Sequence, residues 1–284
     1  KYMGDRAFYR HYLLLAVPMI LQNAITNLVS FLDNIMVGQL GTEQMSGVAI
    51  VNQLIFVYNL AIFGAVSAAS IFGAQYFGNG DHRGHMHSFR FKLYATLLVS
   101  GLTMLLLLTK GSDLISLYLT DTAGNGATDV ALQYGKQYLV IMLVGLVPFA
   151  VNQAYATNIK ETGQTLVPML ASFVAVGTNA VLDYLMIFGV GPFPELGVTG
   201  AALATVIARY VEAVIVVLWA HRNREKNRYL EGAYRGFGIP VSELKTILIK
   251  GLPLMFNEVL WAAGMTTVTQ CYSCLLYTSP SPRD

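Results

Sequence analysis

The sequence predicts an all-α polytopic membrane protein, and three observations carry that expectation: composition, the length of the apolar runs and the placement of the basic residues. Of 284 residues, 55% are apolar and only 12% charged, whereas soluble domains carry roughly 45–50% and about 25%. Seven apolar runs approach or exceed the roughly 20 residues a helix needs to cross a bilayer. They cover 13–37, 48–72, 93–108, 134–156, 166–188, 198–220 and 251–271.

The first run is too long for the core of a signal peptide and reads as a retained helix, with Pro18 near its start. The second carries glycines, alanines and serines through 64–73, a face suited to close helix packing. The third is short unless 89–92 extends it. His82, His85 and His87 precede it with only Asp81 as a nearby acid, which reads as a solvated loop and not a metal site. Pro148 in the fourth, Pro168 at the start of the fifth and Pro253 in the seventh each remove one backbone bond and allow a bend. In the sixth, Arg209 and Glu212 lie three residues apart and can neutralise each other.

Basic residues alternate between successive loops. Lys1, Arg6, Arg10, Arg83, Arg90, Lys92, Lys160 and the set from Arg222 to Lys250 fall on one side, against Lys110 and Lys136 on the other. The positive-inside rule puts the N-terminus in the cytoplasm of a cell (plasma or inner) membrane. A formal net charge of +2 gives no basis for nucleic-acid binding. Cys271 and Cys274 cannot form a disulfide framework, and neither a phosphate-binding glycine loop nor a nucleophile elbow is present. The chain is expected not to be an enzyme, with no catalytic residues, no resident metal and no cofactor beyond a coupling ion.

The long basic connector at 222–250 separates a six-helix lobe at 1–221 from the first helix of a second lobe at 251–273. Leu14–Ile20 and Ile249–Met255 enter their spans with similar sequences, and repeated bundles are a common architecture of secondary transporters.

Acids at membrane depth are functional candidates. Asp33 and Asp183 both fall in the outer half of spans that run outward, and Thr205 lies at a similar level in the sixth. Asn179 precedes Asp183 by four residues, on the same helical face. Four oxygen-bearing side chains can therefore converge, a set suited to Na⁺ or a shared proton. Asn257 and Glu258, after Pro253, could meet a cationic substrate or a second coupling ion.

Five segments resemble the multidrug and toxic compound extrusion (MATE) family: Phe31-Leu32-Asp33-Asn34-Ile35-Met36-Val37-Gly38-Gln39-Leu40-Gly41, Lys160-Glu161-Thr162-Gly163-Gln164-Thr165-Leu166-Val167-Pro168, Asn179-Ala180-Val181-Leu182-Asp183, Gly200-Ala201-Ala202-Leu203-Ala204-Thr205 and Pro253-Leu254-Met255-Phe256-Asn257-Glu258. The resemblance implies half of a twelve-helix, two-lobe fold, monomeric when full length. It implies an antiporter that exports organic cations or amphipathic compounds across the lipid bilayer in exchange for H⁺ or Na⁺. Asp33, Asn179, Asp183 and Thr205 would form the coupling site, Pro18 would bend the first helix, and Glu258 would serve the second lobe. The alternatives are a lipid-linked oligosaccharide flippase, for which Arg209 is the only cavity cation in the six complete spans, and a structural membrane subunit. Residues 274–284 fit neither the span pattern nor the family and are expected to be a non-native tail on a C-terminally truncated fragment.

Overall fold

A computed structural model describes residues 5–118, 127–235 and 238–278. They form α1 (Arg6–Gly38), α2 (Thr42–Gly78), α3 (His82–Tyr118), α4 (Ala127–Val144), α5 (Leu146–Glu161), α6 (Leu166–Ile187), α7 (Val198–Arg222) and α8 (Val241–Thr278), with a 3-10 turn at Arg228–Leu230. Among the described residues five helices are long and apolar enough to cross a membrane, and α4 with α5, which together meet the same length and apolarity but are bent by 44°, make six if the pair is one broken span. The chain is a multi-pass, all-α membrane protein.

Helix starts follow local chemistry. Asp5 caps α1, its Oδ1 accepting from Phe8 N at 2.8 Å. Asp81 does the same for α3, accepting from Arg83 N at 3.1 Å and Gly84 N at 3.0 Å. A side-chain oxygen here satisfies amides that have no partner within the helix.

The bend in the fourth span lies just before Pro148, whose ring nitrogen cannot donate to the Val144 carbonyl. Neighbouring helices cover the loosened carbonyls: Tyr58 donates to Leu146 O at 2.8 Å, Arg209 to Gly145 O at 3.4 Å and Tyr210 to Val144 O at 3.5 Å. Gly145 permits this approach, because a Cβ there would come within 3.1 Å of Val206 and 3.2 Å of Arg209.

α2 is central, packing on α3, α4, α5 and α8, while α6 pairs with α7 and α1 leans mainly on α6. One core joins Val51, Ile55, Tyr58, Met142, Leu146 and Ala202, and a second, nearer the linker, joins Phe89, Tyr155, Ile159, Val216, Tyr229 and Leu230. The small-residue stretch behaves as its composition suggests: Gly64, Ala65, Ala68, Ala69 and Gly73 are buried.

Three expectations need correcting. Arg90 and Lys92 are not loop residues; they lie in α3, 5% and 0% exposed. The histidines do not form a solvated loop, since His85 is 2% exposed and its Nε2 lies 3.2 Å from both Glu161 and Asn158. The connector is not merely a polar strap either: Tyr229, Leu230 and Ala233 enter the second core, and α8 already begins at Val241, within the expected linker. Helix α8 continues past residue 273 to Thr278, and 279–284 lie outside the described residues.

Candidate cation site

Asp183 sits in the last turns of α6, with Asn179 one turn before it on the same face. Both are buried, at 1% and 4% exposure. Asp33, from the far part of α1, brings its carboxyl within hydrogen-bonding reach of Asp183, and the Asn179 amide lies beside them. Thr205, two turns into α7, accepts from Asn179 Nδ2 at 3.5 Å. The four side chains that depth and spacing singled out therefore do converge, contributed by α1, α6 and α7.

Electrostatically the set is incomplete. Neither oxygen of Asp183 has a hydrogen-bond donor among the described residues. Two facing carboxyls can bond only if one of them carries a proton, and otherwise need a cation between them. The arrangement can hold a shared proton or a small hard cation, because every potential ligand is an oxygen.

Two cavities meet here. One of about 220 Å³ is lined by Thr26, Asp33, Ser172, Asn179 and Glu212 among others, and one of about 410 Å³ by Asn34, Asn52, Gln53 and Tyr138 among others. Asp33, Asn59, Thr205 and Arg209 line both and form the partition between them. Sequence reasoning missed Asn52, Asn59, Tyr138, Ser172 and Gln22. A signal was available, since Asn52 and Asn59 stand seven apart in an apolar helix and so share a face.

Arg209 and Glu212 do not pair with each other among the described residues. Arg209 reaches the Gly145 carbonyl and lies over the Phe149 ring, 5.2 Å from its centroid. Glu212 instead ends a relay in which Gln22 donates to Ser172 at 2.7 Å and Ser172 to Glu212 at 2.5 Å. Asn257 is exposed on α8, and the side chain of Glu258 lies outside the described residues. Pro18 is enclosed within an unbroken α1, at the end opposite Asp33.

The MatE family profile matches residues 18–185, more than half the chain, from Pro18 through Asp183. The chain belongs to the MatE family. Members of the MatE family are transporters and not enzymes. This chain is 28% identical over 253 residues to the "Probable multidrug resistance protein NorM" of Thermotoga maritima, covering 88% of this chain and 52% of that protein. A protein of the same name from Rhizobium meliloti is 30% identical over 224 residues, covering 78% and 46%. Among solved structures, "MATE in the bent conformation" superposes with a TM-score of 0.76 at 23% identity, covering 91% of this chain and 55% of that one. The MatE chain described here thus spans about half the length of the relatives it matches.

Proposed function

We propose that this chain supplies the first lobe of an antiporter that exports cationic or amphipathic small molecules in exchange for H⁺ or Na⁺, coupled through Asp33 and Asp183. One observation carries this reading: a buried carboxyl faces a second carboxyl, and neither of its oxygens has a donor among the described residues. Such a pair is costly when empty and ionised and is relieved by a proton or cation. Ligand binding there drives a conformational change only through different affinities in the two states. A site built from three helices, one of which packs mainly on α6, gives that difference a structural basis. The two cavities sharing Asp33 offer the substrate a route beside the coupling site. The basic residues at the linker end favour a cytoplasmic N-terminus.

The test is efflux of an organic cation, such as ethidium, from cells expressing the complete transporter that carries this sequence. Asp33→Asn and Asp183→Asn are expected to abolish cation-dependent export. Normal export by both variants under the same gradients would show the coupling assignment to be wrong. Replacing Na⁺, or collapsing the proton gradient, identifies the ion.

A further inference from the structure

One guanidinium from the first lobe gathers the connector between α7 and α8. Arg90 is nearly fully buried. Its Nε donates to Ala233 O at 2.8 Å, Nη1 to Gly238 O at 2.9 Å, and Nη2 to Gly232 O at 2.7 Å and Arg235 O at 3.0 Å. Four carbonyls of one short loop thus converge on one side chain from α3. Only the planar fork of arginine can meet them together, since an ammonium presents a compact point charge.

Two further contacts reinforce the fastening. Arg228 Nη1 lies 3.2 Å from His82, and His87 Nδ1 lies 2.7 Å from Glu243, in the first turn of α8. The start of α8 then lies along α2: Ile247 is buried, Lys250 rests over the Phe72 ring and Gly251 packs against Ala68. A Cβ on Gly251 would overlap that of Ala68. Beyond Gly251 the pattern changes. Pro253 cannot donate to the Ile249 carbonyl, and Phe256, Leu260 and Trp261 are more than half exposed.

We propose that Arg90 is a positioning residue for transport: it makes the linker and the first turns of α8 part of the first lobe, so that the two lobes flex against each other between Gly251 and Pro253 and not in the linker. The proposal rests on the two-lobe transporter reading. It assigns the connector, whose sequence looks like a flexible hinge, to the rigid side of the joint. A fixed linker determines where the second lobe starts, and so how far a rearrangement at Asp33 is transmitted to α8.

The test uses the complete transporter carrying this sequence in lipid nanodiscs, with hydrogen exchange and transport read together. In the unmodified protein, amides of 229–235 are expected to exchange as slowly as those at the end of α7. Arg90→Gln is expected to speed exchange there by about tenfold or more, leaving α2 unchanged. Maximal export rate falls severalfold, while the half-saturating cation concentration and the substrate KM stay the same. Arg90→Lys keeps the charge but not the fork, and is expected to resemble Arg90→Gln in exchange. Unchanged linker exchange in Arg90→Gln overturns the proposal, as does slow exchange fully restored by lysine. Should Arg90→Gln not accumulate, the unmodified protein still decides: exchange of 229–235 at the rate of an unstructured peptide overturns it. Asp33→Asn keeps the two ideas separate. Retained cation dependence in that variant, beside a loosened linker in Arg90→Gln, refutes the coupling site and leaves the latch standing.

Discussion

The carboxyl of Asp183 lies against that of Asp33, buried between α6 and α1, and neither of its oxygens has a donor among the described residues. A site that needs a proton or cation to be complete is less stable when it holds neither. Asp183→Asn removes the charge and gives Asp33 an amide donor. The variant is expected to be more thermostable than the unmodified protein at neutral pH in Na⁺-free buffer, by about 1–3 kcal/mol, the cost of an unsatisfied buried polar group. Thermal melting in detergent checks this, and a lower melting temperature counts against an unoccupied acid pair.

Lys92 is wholly buried, bonded to Glu161 and to Asn158 Oδ1 at 2.5 Å. Lys92→Met leaves the Glu161 carboxylate buried with His85 as its one remaining side-chain partner among the described residues, and is expected to destabilise by about 3–5 kcal/mol. Lys92→Met with Glu161→Gln should recover most of that loss, since no unpaired charge remains. A double variant no better than the single one would mean that the pair matters for its shape and not its charge.

Gln22 is the side chain through which α1 hydrogen-bonds to Ser172 on α6. Gln22→Ala is expected to cost about 1 kcal/mol, the net worth of one hydrogen bond. The loss should be local. Exchange should rise in α1 while α2 to α5 stay protected.

Gly47 meets the α4 backbone so closely that a Cβ there would overlap the Ala131 carbonyl and approach Gly135 N to 2.9 Å. Gly47→Ala is expected to force α2 and α4 apart at about 1–3 kcal/mol. Gly38→Ala is the control, because its Cβ would make only ordinary contact with Met45 at 3.5 Å. Equal melting temperatures for the two variants would rule out the close approach.

Much of this architecture was legible in one dimension. Apolar runs located the six spans of the first lobe because a bilayer sets a length and an apolar requirement that each helix meets by itself. The acid site was legible for a related reason: Asp33 and Asp183 are conspicuous in apolar spans, and helical rise converts their positions into depth. Pro148 was one of four prolines at which the sequence allowed a bend; Pro18 and Pro253 lie inside continuous helices, so the missing N–H is a local fact but the bend it permits is not.

The linker side was not legible, and the reason is physical. Arg90, Lys92 and His85 are polar residues near a span end, a pattern that a solvated loop shares. Their burial depends on partners 66 to 148 residues away in sequence, such as Asn158 and the Gly238 carbonyl. Arg209 and Glu212 show the same limit, because spacing allowed their pairing while Gly145 and Ser172 offered each a competing partner. The sequence by itself determined the apolar spans and which acids fall within them, because each depends on local composition and helical geometry. Only the tertiary structure decided which charges pair, that Tyr229, Leu230 and Ala233 of the connector enter the second core, and that Asp183 faces Asp33 with neither of its oxygens hydrogen-bonded among the described residues, because those outcomes rest on competition among distant groups for a few buried partners.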